Sequence, residues 1–421
     1  MLKFPVPIID QKAGMNCYST SFNGVGGLIK QQANGFRVSE IIDRSVFNDL
    51  SSAQDELHRY PLYILEKSNI DSNHAISQIK KRFGIPLKVI GLKDAKANTK
   101  QYATTEQLKN IPRELRTDQL LLTLKGFTRR PLTKASLLGN EFTIIINDNK
   151  KLDISTFEPE IKNIANFYGL QRFGSERSVT HLVGKEILRR NFKNAVELLL
   201  CYTSEYDSKM SMEIREKCRD PHNYPWLLKH LPRGMDIEYQ VISAIVKGSD
   251  VISALRAIPI NMRRLFVQAY QAHIFNLCLS TALLNGENLL KGKKGDLCFE
   301  TGGPLIFGKI RKFNPISDSE SDTVPAIRLA GYSFQAGEGR FEIITKNTMK
   351  DEGVTARDFY IKEMQELSSQ GGFRQAPLWC RDFSVIDKTM LTLSFKLPKG
   401  SYATTLLREL MKPVDPIGSG F

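Results

Sequence analysis

The segment that most constrains the fold runs from Asn73 to Gln101. Ile76, Ile79 and Phe83 recur at helical spacing, Asn73 can cap the helix, Lys80, Lys81 and Arg82 enrich its last turn, and Gly84 can close it. Pro86 then starts a mostly apolar run, Leu87 to Ile90, that reads as a strand ending at Gly91. A helix that hands over directly to a strand packs back on a sheet, as in an α/β or α+β layer. The strand delivers Gly91-Leu92-Lys93-Asp94-Ala95-Lys96-Ala97-Asn98-Thr99-Lys100-Gln101, a single carboxylate among lysines, where strand gives way to loop. Working residues are presented at such junctions, but so are solvated turn charges, and in isolation Asp94 reads as the latter.

Around this segment the patterning alternates between strand and helix. Gly27-Leu28-Ile29-Lys30 and Phe36-Arg37-Val38-Ser39-Glu40-Ile41 flank Asn34-Gly35, a strong turn dipeptide, so a hairpin is expected there. Leu120 to Leu124 and Phe142 to Ile146 read as buried strands, the second introduced by Leu138-Gly139-Asn140. Helical spacing dominates from about residue 157 to 285, with Ile161, Ile164 and Phe167 as its first stripe and Arg263 to Leu284 as its longest run. Asn166-Phe167-Tyr168-Gly169-Leu170-Gln171-Arg172-Phe173-Gly174 interrupts it, either as a packed hinge or as a ligand-facing loop. Ser204 to Tyr224 is polar and reads as a surface insertion. Leu305-Ile306-Phe307, Ala326-Ile327 and Phe341-Glu342-Ile343-Ile344 are short apolar runs among Gly and Pro, which suggests strands. Gly371-Gly372 marks a joint, Leu391 to Leu397 alternates as a strand, and Ala403 to Met411 follows as a helix with Leu406, Leu407 and Leu410 inward.

Charge narrows the partner. Lys and Arg number 59 against 45 Asp and Glu, a formal net charge of +14, which makes a polyanion, and nucleic acid first, the expected partner. With 421 residues and 41% hydrophobic content, the chain can bury a large core in two or three domains, or in one domain with a large insertion. The six cysteines form no C-x-x-C pair and the six histidines show no metal-ligand spacing, which argues against a zinc site or a disulfide framework and fits a cytoplasmic, reducing setting. The first residues lack the apolar stretch of a signal peptide, and no run of about 18 apolar residues predicts a membrane span.

Several stretches, in order, resemble the TruD family of tRNA pseudouridine synthases. Gly91-x-Lys93-Asp94-x-x-Ala97-x-Thr99-x-Gln101 is similar to the family's catalytic segment, and Asn166 to Gly174 to its second motif, with the two aromatics exchanged as Phe167-Tyr168. Leu138-Gly139-Asn140-x-Phe142, Ala269-Tyr270-Gln271-Ala272-x-x-Phe275-Asn276 and Leu397-Pro398-x-Gly400-Ser401-Tyr402-Ala403-Thr404-x-Leu406-Leu407-Arg408-Glu409-Leu410 fit as well. Ile29-Lys30 and Val38-x-Glu40 are kept from the first motif, whereas Ala33-Asn34-Gly35 replaces the family's Pro and acids before Phe36.

The resemblance implies an α+β fold: a mixed, mostly antiparallel sheet flanked by helices, pseudouridine-synthase-like, with a large α/β insertion. It implies a catalytic domain split over residues 1–191 and 376–421 around an insertion at 192–375. It also implies isomerisation of a uridine, position 13 of tRNA in the family, without cofactor or metal, without a membrane and without an obligate protein partner. Asp94 is then the essential carboxylate, as nucleophile or base, and Lys30 its basic partner on a neighbouring strand, with Lys93 as runner-up. Asn166 would hold the Asp94 loop, Tyr168 would stack on the flipped uracil, and Phe36 and Arg172 would complete the substrate-binding set. Lys96, Lys100, Arg129, Arg130, Arg172 and Lys293-Lys294 are candidate phosphate contacts. Gln271, Phe275 and Asn276 are expected to pack, and Tyr402 and Arg408 either to close the site or to tie down the last helix. The alternative is a non-catalytic RNA-binding protein on the same fold; a metal-dependent nuclease lacks clustered carboxylates in the sequence.

Overall fold

The computed structural model describes residues 4–91, 93, 96–106, 111–150, 153–232, 234–318, 322–387 and 389–421. Thirteen strands are described: β1 (Phe36–Ile42), β2 (Tyr60–Lys67), β3 (Lys88–Val89), β4 (Asn98–Thr104), β5 (Glu114–Arg116), β6 (Leu120–Thr128), β7 (Leu137–Ile145), β8 (Leu297–Gly303), β9 (Ile306–Lys312), β10 (Thr323–Leu329), β11 (Gly372–Gln375), β12 (Arg381–Asp387) and β13 (Thr392–Pro398). They form a nine-stranded sheet in the order β12-β13-β7-β1-β4-β2-β6-β5, with β3 beside β4, and a four-stranded sheet in the order β11-β10-β8-β9. In the larger sheet β1 and β4 run parallel, and the other described pairings are antiparallel. The fold is therefore α+β, with a large mixed sheet and a second smaller one.

The larger sheet takes strands from both ends of the chain. β13 pairs along β7, setting Phe395 opposite Phe142, whose rings stack with centroids 5.3 Å apart. Phe36, Val38, Phe142, Ile144, Leu393 and Phe395 share one buried face, covered by the Ala403–Met411 helix. Its Leu406, Leu407 and Leu410 are fully buried and contribute roughly 1.5–3 kcal/mol each. Further along the same sheet, Tyr63, Leu65, Ala103 and Leu122 pack against Ala75 and Ile79 of the Ser72–Phe83 helix. Between these two covering helices part of the sheet face stays open.

The intervening chain builds a mostly helical body with the smaller sheet. The Thr180–Leu188 helix lies against the 25-residue Ile260–Leu284 helix so closely that a Cβ on Gly184 would stand 2.0 Å from the Phe266 carbonyl oxygen. A separate buried cluster joins Ile9 and Ala13, Phe167 and Phe173, and Ala272, Phe275 and Leu279 of that long helix. No helix of the described residues is long and apolar enough to cross a membrane.

Several local expectations need correction. The hairpin about Asn34-Gly35 does not form: those residues make a 3-10 turn, Leu28 bridges to Asn147, and β1 lies between β4 and β7. Distant strands supply the pairing that the turn dipeptide suggested locally. Asp71, not Asn73, caps the Ser72–Phe83 helix, accepting bonds from Asn73 N and His74 N. The Leu87–Ile90 strand shrinks to Lys88–Val89, and the Ile161 stripe belongs to a 3-10 stretch, Glu158–Asn163, with Pro159 at its start. Ser204 to Tyr224 is no mere surface insertion. Its Lys209–Lys217 helix buries Ile214, and Arg215 bonds Glu238 at 3.1 Å. Phe341 to Ile344 opens a helix, Arg340–Asp351, because the polar residues that follow continue a helical face.

Candidate active site

Asp94 lies outside the described residues, but the chain on either side of it is fixed by a buried polar network. Gln101 on β4 donates from Nε2 to the Gly91 carbonyl at 2.5 Å. The Ser72 hydroxyl donates to Gln101 Oε1 at 2.9 Å and accepts from Lys93 N at 2.9 Å. Lys67 Nζ donates to the carbonyls of Ile70 at 2.7 Å and Lys93 at 3.2 Å. Lys93 Nζ in turn meets Glu40 Oε1 at 3.1 Å, while Glu40 Oε2 accepts from Tyr102 N at 2.9 Å. Glu40 is thus a buried carboxylate that orients Lys93. Glu40→Leu should cost about 3 kcal/mol in urea unfolding, because it leaves a largely buried ammonium without its counter-charge; a loss under about 1 kcal/mol would show the pair to be solvated.

The network opens on a cleft of about 620 Å³ lined by Lys30, Phe36, Lys93, Tyr168 and Arg172, with Gly91 and Lys96 at the edge of the Asp94 loop. Lys30 is not on a strand, as expected, but in the loop before β1 with a left-handed φ of 59°. Its Nζ stands 5.2 Å from the centre of the Phe36 ring. Lys96 lies at the exposed rim. No carboxylate is among the described lining residues, so Lys30, Lys93, Lys96, Arg172 and Arg374 give the cleft a cationic lining suited to an anionic polymer.

The aromatic wall is built from three distant segments. Asn276 on the long helix clamps the backbone of Tyr168, accepting from its N at 2.8 Å and donating to its carbonyl at 3.0 Å. Phe275 meets the Tyr168 ring edge-on at 5.3 Å. Tyr402, just before the last helix, packs edge-on to Tyr168 at 6.0 Å, and its hydroxyl accepts from Arg172 Nε at 3.2 Å. Gly169 makes this approach possible, since a Cβ there would lie 2.8 Å from Thr404 Oγ1.

Asn166 is buried and absent from the described cleft wall; its side chain accepts from Arg374 and donates to the Gln375 carbonyl, and its backbone N donates to the Ala376 carbonyl. Arg374 is the residue that the sequence reading missed. It comes from β11 of the smaller sheet and donates to Asn166 O at 3.0 Å, Asn166 Oδ1 at 2.8 Å and Gly400 O at 2.7 Å. Its guanidinium lies 4.0 Å from the centre of the Tyr168 ring. Burial presses its pKa down, against which Tyr168 and Tyr402 act. A lone arginine beside Gly371-Gly372 carries no periodic signal, and only the fold brings it to the second motif.

Of the other candidates, Arg408 lies away from the cleft and bonds Asp10. Gln271 bonds the Ala330 carbonyl and Ser369. Arg129 pairs with Asp49 at 2.8 Å and Lys293 with Glu287 at 2.7 Å. Lys100 lines a separate groove with Arg37, while Arg130 and Lys294 are exposed outside the cleft.

Comparison with known proteins gives this geometry its context. The family model described as tRNA pseudouridine synthase D (TruD) matches residues 12–410. The chain belongs to the TruD family. A relative from Methanosarcina acetivorans, described as a probable tRNA pseudouridine synthase D, is 31% identical with 99% of each chain covered. One from Pyrobaculum neutrophilum with the same description is 29% identical, again over 99% of each chain. The crystal structure of a Methanosarcina mazei chain assigned to tRNA pseudouridine synthase D (TruD) superposes with a TM-score of 0.77 at 27% identity, covering 99% of this chain and 100% of that one. TruD proteins are tRNA pseudouridine synthases, which are isomerases, and their substrate is tRNA. For this TruD-family chain, Arg374→Met should slow a single turnover by roughly 10–100-fold through a misplaced Tyr168, with tRNA affinity little changed. Filter binding beside the rate measurement would check this, and equal losses in both would assign Arg374 to binding instead.

Proposed function

We propose that this cleft isomerises one uridine of tRNA, at position 13 as in the family, to pseudouridine with Asp94 as the essential carboxylate. The N1–C1′ glycosidic bond breaks, the uracil turns in place, C5 bonds to C1′, the C5 hydrogen leaves as a proton, and N1 takes up a proton. Asp94 serves either as nucleophile, at the base or at the sugar, or as a base toward the ribose. Lys30 and Lys93 are the cations that would keep it ionised in a cleft from which RNA displaces water. Tyr168 is the platform for the flipped base, a contact worth roughly 1–3 kcal/mol that helps offset the cost of unstacking. Phe36 and Arg172 complete the substrate-binding set. We further assign residues 1–191 and 376–421 to the catalytic domain and 192–375 to an insertion, a division supported by the larger sheet drawing its strands from residues 36–145 and 381–398.

One observation carries the reading: Lys30, Phe36, Lys93, Tyr168 and Arg172 line one cationic cleft together with the residues that flank Asp94 in sequence. The test is tritium release from tRNA carrying [5-³H]uridine, since C5 must lose its hydrogen. Wild type should release tritium in proportion to pseudouridine formed. Tight, salt-sensitive binding without release would favour the RNA-binding alternative.

A further inference from the structure

We infer that the Asn140 carboxamide reads the imide edge of the target uracil, an assignment that rests on the pseudouridine-synthase reading above. Asn140 lies on β7, paired with Glu40 of β1 and Leu397 of β13. Its strand neighbours on the same face, Phe142 and Ile144, are buried in the apolar core beneath the last helix. Asn140 itself is only 9% exposed and lines the same cleft as Tyr168 and Arg172. Its Oδ1 is shielded from solvent and has no hydrogen-bond partner among the described residues. An unpaired buried amide oxygen is costly, and native structures contain few of them. A polar group held unpaired at the cleft wall is suited to a partner that arrives with the substrate, once a turn about χ2 brings Oδ1 to the cleft surface.

The partner's chemistry follows from the carboxamide. Thr99, Ser401 and Thr404 also present unpaired hydroxyl oxygens along this cleft, but a hydroxyl turns to suit whatever it meets. Among these four, Asn140 alone offers an acceptor and a donor side by side in one plane. A uracil extruded from the RNA presents N3–H flanked by two carbonyls. Oδ1 accepts from N3–H while Nδ2 donates to one neighbouring carbonyl. This gives the cleft contact with the base edge, complementary to the ring contact from Tyr168. It also holds the uracil once the glycosidic bond is broken, when nothing covalent ties the base to the ribose.

The test is a cycle between protein and substrate. Single-turnover rates are measured on unmodified tRNA and on the same tRNA with 3-methyluridine at the target, for wild type, Asn140→Ala and Asn140→Leu. For wild type the N3-methyl group should cost about 100-fold or more, because it removes the proton that Oδ1 accepts. On unmodified tRNA both variants should lose roughly 100-fold in rate with tRNA affinity within about threefold of wild type, since phosphate contacts dominate binding. In both, the methyl penalty should fall below about fivefold, as expected when contacting partners are removed one after the other. Asn140→Leu has nearly the same shape and no unpaired oxygen, so it should melt no lower than wild type and keeps the test valid if the alanine variant folds poorly. Wild-type rates in the variants, or a methyl penalty that persists at about 100-fold, would overturn the assignment. A wild type that makes no pseudouridine from unmodified tRNA would instead overturn the functional reading on which it rests.

Discussion

Asp94→Asn is expected to lower pseudouridine formation by roughly 10³-fold or more while leaving tRNA binding nearly intact. The substitution keeps size and hydrogen-bonding capacity but removes the charge that a nucleophile or base requires. The surroundings explain why binding should survive. Gly91 and Lys93 are held by contacts from Gln101, Ser72, Lys67 and Glu40. The cationic lining, from Lys30 to Arg374, is likewise unchanged by the substitution. Single-turnover rates paired with filter binding would check this. An Asp94→Asn protein active within tenfold of wild type would remove Asp94 from the chemistry and leave the cleft's cations and aromatics in search of another carboxylate.

The second large effect concerns the fold. Arg408→Met should destabilise the protein by about 3–5 kcal/mol, because it strips the counter-charge from two buried carboxylates. Arg408 Nε meets Asp10 Oδ2 at 2.5 Å, and Nη1 meets Glu409 Oε1 at 3.2 Å and the Cys17 carbonyl at 3.1 Å. The guanidinium also lies 4.2 Å from the centre of the Tyr18 ring. Burial opposes its charge, yet Asp10 and Glu409 hold its pKa above the usual arginine value; Asp10 is itself pushed up by burial, with Arg408 acting against that. Glu409 in turn accepts from Ser19 N at 2.9 Å and from Thr20 N at 3.1 Å. Arg408 therefore binds the N-terminal segment to the last helix rather than closing the cleft. Urea unfolding followed by circular dichroism would measure the loss. A change below about 1 kcal/mol would mean that water reaches the pair and replaces the arginine.

How much of this was legible in the sequence depended on whether the cause was local. The Ser72–Phe83 and Ala403–Met411 helices declare themselves through apolar spacing, and β6, β7 and β13 through apolar runs or alternation. β1 was legible as a strand but not in its partners, because β4 and β7 lie about 60 and 100 residues away and no turn signal encodes such pairings. Phe341 to Ile344 misled because four residues are too short to separate helix from strand. At the site, the residue types of the second motif pointed to a ligand-facing loop, and Tyr168 and Arg172 do line the cleft. Asn166 bonds Arg374 and the Gln375 carbonyl, contacts from a distant strand that no local pattern announces. Arg374, Asn276 and Glu40 act on the site through other residues, and such positioning has no sequence pattern of its own.

Whether the chain converts one uridine of tRNA to pseudouridine is tested by incubating the purified protein with an unmodified tRNA pool and mapping pseudouridine at nucleotide resolution. New pseudouridine is expected at position 13 of tRNAs that carry uridine there, formed by wild type and not by Asp94→Asn. Absence of pseudouridine from every tRNA, with wild-type protein folded and binding tRNA, would contradict it.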